Sequence, residues 1–393
     1  MASKKLIAAA LLAAFGTAAY AAPSVTLYGI VDTGFAYQHT RDSSNFTVAG
    51  VKFGETVSQD QFSMESGINE TSRWGLRGEE EIGGVTVGFN LENAFNSDDG
   101  EADDRLFQRE ALLSVSGKYG TLAAGRMGAV GSSAGTFDIT QATADSFDGE
   151  DFTTPVQTMT DRYDNMLTYQ TPKLAGFQAT VQYSFKTNQK DGEGVEGKSS
   201  ADRFAGAALT YEAGKFQSVF SYEWLDRSNK SYNSKDGMIY SLGANYDFDV
   251  VQVFGLVKYV DGVNSFAGFN ADEVELSDET LADLDSLGFQ FKGAKGYNLH
   301  LGAIVPMFGG SLTGGLYYAD GKLKANGVAD ADLTAYGAEF RFVYPVSKRT
   351  DLYCGADFTQ RKLDSVKVKG LGSVSGDWKQ TETAVYAGLT HRF

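Results

Sequence analysis

The chain has 393 residues, with 34 Lys or Arg against 50 Asp or Glu, so its formal net charge is −16. Nucleic acid is therefore an unfavourable partner, because phosphate binding requires a basic face. A single Cys excludes an intramolecular disulfide framework and a zinc site built from several cysteines. Three His leave little for catalysis or metal binding, and we expect no cofactor.

The first 21 residues have the features of a secretory signal peptide. An apolar run follows Lys4 and Lys5, and Ala-Tyr-Ala at 19–21 fits the rule for a cleavage site. We expect the mature protein to begin near Ala22 and to form one domain over residues 22–393. Loss of two lysines changes the formal net charge to 32 − 50 = −18.

The mature chain is dominated by alternation of apolar and polar residues over nine to eleven positions. Examples are "VTVGFNLENAF", "GFQATVQYSF", "YSLGANYDF", "YNLHLGAIV" and "TAYGAEFRFVY". Such alternation predicts a strand with one apolar and one wet face. Strands that cross a membrane need ~9–11 residues, whereas the strands of a soluble sandwich average ~5–6. A membrane barrel is favoured, since closure also removes exposed sheet edges.

Short and long connections alternate along the chain. Seven are short, at 83–84, 116–120, 171–176, 212–215, 247–249, 306–310 and 344–350. Eight are long and polar, at about 38–71, 97–104, 127–161, 187–203, 227–236, 261–295, 320–332 and 363–380. Fifteen connections imply sixteen strands, so we predict an all-β, sixteen-stranded antiparallel transmembrane β-barrel. Within the connection at 261–295, residues 274–289 are predicted to form a short helix.

Alternation also predicts which charges face the interior of this barrel. Arg73 and Arg77 face inward if Trp74 and Leu76 face outward, and Arg162 shares the inward parity of its own strand. Arginine keeps its charge at physiological pH, and its planar head forms forked hydrogen bonds. These arginines are candidates for the fixed charge that selects ions in a pore.

The third long connection, 127–161, contains six acidic residues and no Lys or Arg. Folded into the barrel opposite an arginine wall, it would create a transverse field that favours small hydrophilic solutes. Asp138 is the first candidate for this role, followed by Asp145 and Asp148. The alternative is that these acids are solvated, as most acids in a long loop are.

Four segments resemble the general porins of Gram-negative outer membranes, most closely those of β-proteobacterial type. They are "SVTLYGIVDTGF" at 24–35, "SRWGLRGEEEIGG" at 72–84, "RYDNMLTYQTP" at 162–172 and the closing "GLTHRF". The resemblance implies a homotrimer with short periplasmic turns, long extracellular loops and a third loop folded into the lumen. It also implies that the assembly machinery of the outer membrane reads Phe393, and that membrane lipid and lipopolysaccharide surround the barrel.

In that family, wall arginines at the positions of Arg73, Arg109 and Arg162 form one side of the constriction. Arg109 is placed inward mainly by this resemblance, because it shares the parity of apolar Leu113. Family members often carry a basic residue where this chain has Ile30, so the positive cluster is thinner here. We therefore expect a diffusion channel for ions and small hydrophilic solutes, with a weak preference for anions.

Three other functions remain open at this point. A porin selective for sugars or anions would show aromatic residues along one inner stripe. An outer-membrane enzyme would use His300, on the wet face of "YNLHLGAIV", as a general base. We expect no enzyme, because no matching nucleophile is visible. An adhesin would bind through its long loops and have a plugged lumen.

Overall fold

A computed structural model describes residues 24–48, 50–102, 105–133, 135–149, 158–190, 194–228, 235–270, 290–326, 329–368 and 374–393. The predicted signal peptide, the acids Glu150 and Asp151, and the predicted helix at 274–289 lie outside these residues. No helix in the described part of the chain is long and apolar enough to cross a membrane.

The described residues form an all-β protein with one short helix. The elements are β1 (Ser24–Val48), β2 (Val51–Ser66), β3 (Arg73–Ile82), β4 (Val85–Ala94), β5 (Glu110–Gly117), β6 (Gly120–Gly128), α1 (Thr140–Ala144), β7 (Arg162–Gln170), β8 (Phe177–Ser184), β9 (Arg203–Ala213), β10 (Phe216–Asp226), β11 (Gly237–Asp247), β12 (Gln252–Val263), β13 (Ser265–Phe266), β14 (Phe269–Asn270), β15 (Gln290–Met307), β16 (Gly310–Asn326), β17 (Ala329–Pro345), β18 (Thr350–Val368) and β19 (Val374–Arg392).

Among the described residues, seventeen strands form one antiparallel sheet, which closes where β1 pairs with β19. On its other side β1 pairs with two strands in turn, with β2 from Thr33 onward and with β3 up to Ile30. Because β2 and β3 share one place in the wall, seventeen strands fill sixteen positions. The predicted sixteen-stranded barrel is confirmed, and the seven predicted short connections all join neighbouring strands through two to six residues.

The alternation places apolar side chains outside and polar side chains inside. In β11, for example, Leu242 is 63% exposed, whereas Asn245, on the other face, is 3% exposed. This inside-out pattern suits a wall that meets acyl chains on one side and water on the other. The final strand follows it, with Leu389 and Phe393 outside and Thr390 buried inside. Phe393 is tied into the wall by two backbone hydrogen bonds to Gly29.

The wall is much taller along β15–β19 and β1–β2 than elsewhere. The connection predicted at 38–71 is instead mostly strand, because β1 runs for 25 residues and pairs with β2 across a turn at Gly50. β18 and β19 each have 19 residues, so the connection predicted at 363–380 is also largely strand. Only ~9–11 residues cross a bilayer. The apolar alternation marks the membrane-crossing part alone, since polar strand pairs continue in water.

Candidate functional site

Residues 129–149 contact inward-facing side chains on both sides of the barrel. Near the start of this segment, the Val130 N–H donates to Gln182 Oε1 of β8 at 2.8 Å. Beyond α1, the Ser146 N–H donates to His300 Nε2 of β15 at 3.2 Å, and its Oγ donates to the Gly314 carbonyl of β16. The segment thus runs across the interior from β8 to β15 and β16.

Its apolar residues and the small residues of the wall explain this path. Val130, Ile139 and Ala144 are buried in one cluster with side chains from β9, β10 and β12. A Cβ on Gly243 of β11 would lie 2.3 Å from the Ala144 Cβ, and one on Gly302 of β15 would lie 2.1 Å from Ser146 Oγ. Glycine is required at both wall positions, because any side chain would occupy the space that the segment fills.

Two buried charges hold the start of the segment and the later residues 158–160 against the wall. Glu223 of β10 accepts hydrogen bonds from the Gly131 N–H at 3.1 Å and from Thr160 Oγ1 at 2.6 Å. Lys258 of β12 donates to the Thr158 carbonyl at 2.8 Å. Each of the two charged residues is 1% exposed. Buried charges require such partners, so these contacts position the start of the segment and residues 158–160 against one part of the wall.

Three of the predicted arginines gather around Glu92 of β4. Arg109 Nε lies 2.6 Å from Glu92 Oε1, and Arg73 Nε lies 3.8 Å from Oε2. Arg162 interacts electrostatically with Arg109, Glu92 and Glu110, and it donates to the Ser133 carbonyl of the segment at 3.2 Å. Arg109 is 4% exposed. It turns inward despite its parity because β5 begins one residue later, at Glu110, so strand alternation does not apply to it.

Arg77 lies beside this group but does not join it. Its guanidinium stacks over the Tyr28 ring at 4.9 Å. The Tyr28 hydroxyl in turn donates to Glu92 Oε2 at 2.8 Å. Arg77 therefore faces inward, as alternation predicts, and is one side chain away from the cluster.

The three predicted loop aspartates occupy different places along the segment. Asp138 accepts the Ala142 N–H at 3.2 Å and lines a cavity of about 220 Å³ on the side of the short turns. Asp145 is 3% exposed and lies 3.4 Å from His300 Nε2. Asp148 takes a left-handed backbone conformation, with φ of 56°. Beside the arginines of the cluster lie the carboxylates of Glu92, Glu70 and Asp161.

Sequence reasoning did not select three inward charges that the structure brings to the site. Glu92 binds the arginines, and Glu110 accepts the N–H and the hydroxyl of Thr136 in the segment. Arg341 of β17 lies with its guanidinium 5.0 Å from the Phe147 ring centroid and is paired with Glu339 at 2.7 Å. The alternation in "TAYGAEFRFVY" was a usable signal for Arg341, because it places both charges on the wet face.

The surroundings of His300 do not form a catalytic triad. Ser146 Oγ and Asp145 Oδ1 both approach the same ring nitrogen, Nε2, at 3.4 Å. A triad needs the acid and the nucleophile on opposite nitrogens of the imidazole. The ring also stacks on Tyr317 at 4.5 Å and is 4% exposed. Across the described residues, no group of three or more His, Cys, Asp or Glu could hold a metal ion.

Comparison with known proteins points to one family. The family profile described as Gram-negative porin matches residues 8–364. The chain is 33% identical to an outer membrane porin protein of Bordetella pertussis, over 99% of this chain and 100% of that protein. It is 29% identical to outer membrane porin protein 32 of Delftia acidovorans, over 99% of each. An anion-selective porin from Comamonas acidovorans shares the fold, with a TM-score of 0.62 and 24% identity over 94% of this chain and 100% of that one.

Proposed function

The chain belongs to the Gram-negative porin family, and we propose that its channel is narrowest between residues 129–149 and the arginine cluster of Arg73, Arg109 and Arg162. The protein is a porin of the outer membrane of a Gram-negative bacterium, and it forms a channel rather than catalysing a reaction. Ions and small hydrophilic solutes pass through it by passive diffusion.

The observation that carries this proposal is the course of the segment. Residues 129–149 contact inward-facing groups of β8 and β15, so they occupy the lumen close to the arginines. Fixed charge at a narrow point decides which ions pass. Arg162 contributes to both sides, because it belongs to the cluster and donates to the Ser133 carbonyl of the segment.

On the segment side, Asp138, Asp145 and Asp148 supply the negative part of the field. Exposed charges contribute to such a field within the screening distance of ~8–10 Å at physiological salt. We propose that Asp138 acts at the opening on the side of the short turns.

We propose a weak preference for anions. The related structure from Comamonas acidovorans is described as anion-selective. The preference is weak because a carboxylate lies near each arginine of the cluster. In addition, this chain has the uncharged Ile30 where family members often carry a basic residue. Charge at the narrowest point outweighs the acidic residues farther out, because salt screens distant exposed charge.

The assembly and partners follow from the same family. OmpT of Vibrio cholerae, which shares the fold with a TM-score of 0.52, is described in a trimer form. We propose that this chain also forms a homotrimer in outer-membrane lipid and lipopolysaccharide. Phe393, at the end of the last strand, is proposed as the signal that the assembly machinery of the outer membrane reads.

Reversal potentials in planar bilayers under a KCl gradient test the constriction. We expect a weak anion preference in the parent channel and a shift toward cations in Arg73→Ala, because Glu92 and Glu70 then lose a counter-charge. Asp138→Ala should shift the channel slightly toward anions. A clear cation preference of the parent would contradict the proposed selectivity, and an unchanged potential in Arg73→Ala would contradict the proposed constriction.

A further inference from the structure

A second charged site lies on the other side of the segment, toward the long connections. It is a cavity of about 470 Å³ between residues 158–163 and the adjoining ends of β9, β10 and β12. Its charged lining consists of three arginines and three aspartates, which are Arg162, Arg203, Arg227, Asp161, Asp202 and Asp226. Arg162 links this cavity to the arginine cluster below it.

Two of the ion pairs in the cavity are loose. Arg203 bonds directly to Asp226. By contrast, Arg227 Nη1 lies 3.8 Å from Asp202 Oδ2, and Arg162 Nη1 lies 3.9 Å from Asp161 Oδ1. Both distances exceed that of a hydrogen bond. Asp161 Oδ1 accepts the Arg162 backbone N–H at 2.6 Å. The guanidinium of Arg227 and the second carboxylate oxygen of Asp161 therefore keep capacity for a further partner.

Unused donors at the cavity support this interpretation. Among the described residues, the buried Nε atoms of Arg162, Arg203 and Arg227 have no hydrogen-bond partner. A buried donor without a partner is unfavourable, so a group that accepts from it is stabilised there. Arginine presents its N–H groups as a planar fork that matches a carboxylate.

The balance of charge selects the kind of solute. Three positive and three negative groups cancel, so an ion of either sign meets attraction and repulsion of similar size. A zwitterion places a carboxylate and an ammonium group in one molecule and can satisfy both sets. The side chain of Asp161 is 76% exposed and is accessible to an ammonium group. The side chain of Arg227 is 13% exposed and would bind the carboxylate in a more enclosed position.

We infer that this cavity binds zwitterionic solutes, such as amino acids and short peptides, on their way to the constriction. The carboxylate contacts Arg227 and Arg162, and the ammonium group contacts Asp161. The site enriches such solutes at the extracellular entrance, before they reach the arginine cluster. This inference rests on the proposed function, because the cavity must open to a conducting lumen.

Three probes of equal chain length separate the charge types. 4-Aminobutyrate is the zwitterion, butyrate the anion and n-butylammonium the cation. Each is added to single channels in a bilayer with KCl, first on the side of the long connections. We expect 4-aminobutyrate to reduce the ion current at a concentration about tenfold below that needed for the other two probes, and more strongly from this side.

Two substitutions with opposite effects on charge test the assignment of residues. Arg227→Gln and Asp161→Asn should each raise the effective 4-aminobutyrate concentration about tenfold. Arg227→Gln should favour n-butylammonium over butyrate, and Asp161→Asn should do the reverse. Lys215→Gln and Asp249→Asn are matched controls, because this ion pair lies at the turns on the opposite side of the barrel. These controls should leave all three probes unchanged.

The outcomes separate this inference from the proposed function. A protein that inserts but conducts no ions would contradict the channel itself. A conducting channel on which butyrate acts as strongly as 4-aminobutyrate would overturn the zwitterion site and leave the channel intact. The same conclusion would follow if Asp161→Asn, which changes an exposed side chain, had no effect on 4-aminobutyrate.

Discussion

Two groups of charges in the lumen differ in how tightly they are held. Arg73, Arg109 and Arg162 surround Glu92 on one part of the wall. Glu223 and Lys258, on β10 and β12, are buried and hold the start of the segment 129–149 and residues 158–160 in place. The side chains of Arg73 and Arg162 are 18% and 14% exposed, and their ion pairs are 3.5 to 3.9 Å long. Glu223 is 1% exposed and makes a 2.6 Å hydrogen bond to Thr160. Loosely paired charges can exchange partners with passing ions, whereas enclosed charges fix geometry.

The largest expected effect follows from removing an enclosed charge. Glu223→Ala leaves the Gly131 N–H and the Thr160 hydroxyl without this acceptor and removes a buried negative charge that interacts with Lys258. Breaking a buried pair in this way costs about 3–5 kcal/mol. We expect a lower Tm in detergent and a larger, noisier single-channel conductance, because the start of the segment and residues 158–160 are released.

Its control is Glu212→Gln, which breaks an exposed ion pair with Lys173 near the short turns. Exposed pairs contribute only about 0–1 kcal/mol, so stability and conductance should stay close to those of the parent. A Glu223→Ala channel that matches this control would show that the enclosed charge does not position the segment.

A second, smaller effect tests whether α1 packs against Gly243 of the wall. Gly243→Ala places a methyl group 2.3 Å from the Ala144 Cβ, which is too close for two carbon atoms. Overpacking of this kind costs about 1–3 kcal/mol. We expect a lower Tm and an altered conductance, because α1 must move into the lumen. Gly255→Ala on the neighbouring strand is the control, since its Cβ would meet no atom within 4 Å. Equal Tm and equal conductance in the two variants would contradict the packing of α1 against Gly243.

Residues within strands could be placed from the sequence, whereas residues outside strands could not. Strand alternation predicts the wall and the inward Arg73, Arg77 and Arg162, because each side chain has only two directions to choose from. The count of short and long connections predicts the number of strands. Alternation fails at Arg109, which precedes its strand and is free of that constraint. No periodicity applies to Asp145, whose partner His300 is 155 residues away in sequence and is brought near only by closure of the barrel.

Arg109 and Arg73 provide the finest comparison, since both contact Glu92 at different distances. Arg109→Gln removes the 2.6 Å partner of this carboxylate, whereas Arg73→Gln removes one at 3.8 Å. Attraction falls with distance, so the first change exposes more of the negative charge of Glu92. We expect both variants to shift the reversal potential toward cations, Arg109→Gln more than Arg73→Gln. Arg77→Gln should have the smallest effect, because Tyr28 lies between it and Glu92. An equal shift in all three variants would mean that selectivity follows the total charge of the lumen rather than the charges around Glu92.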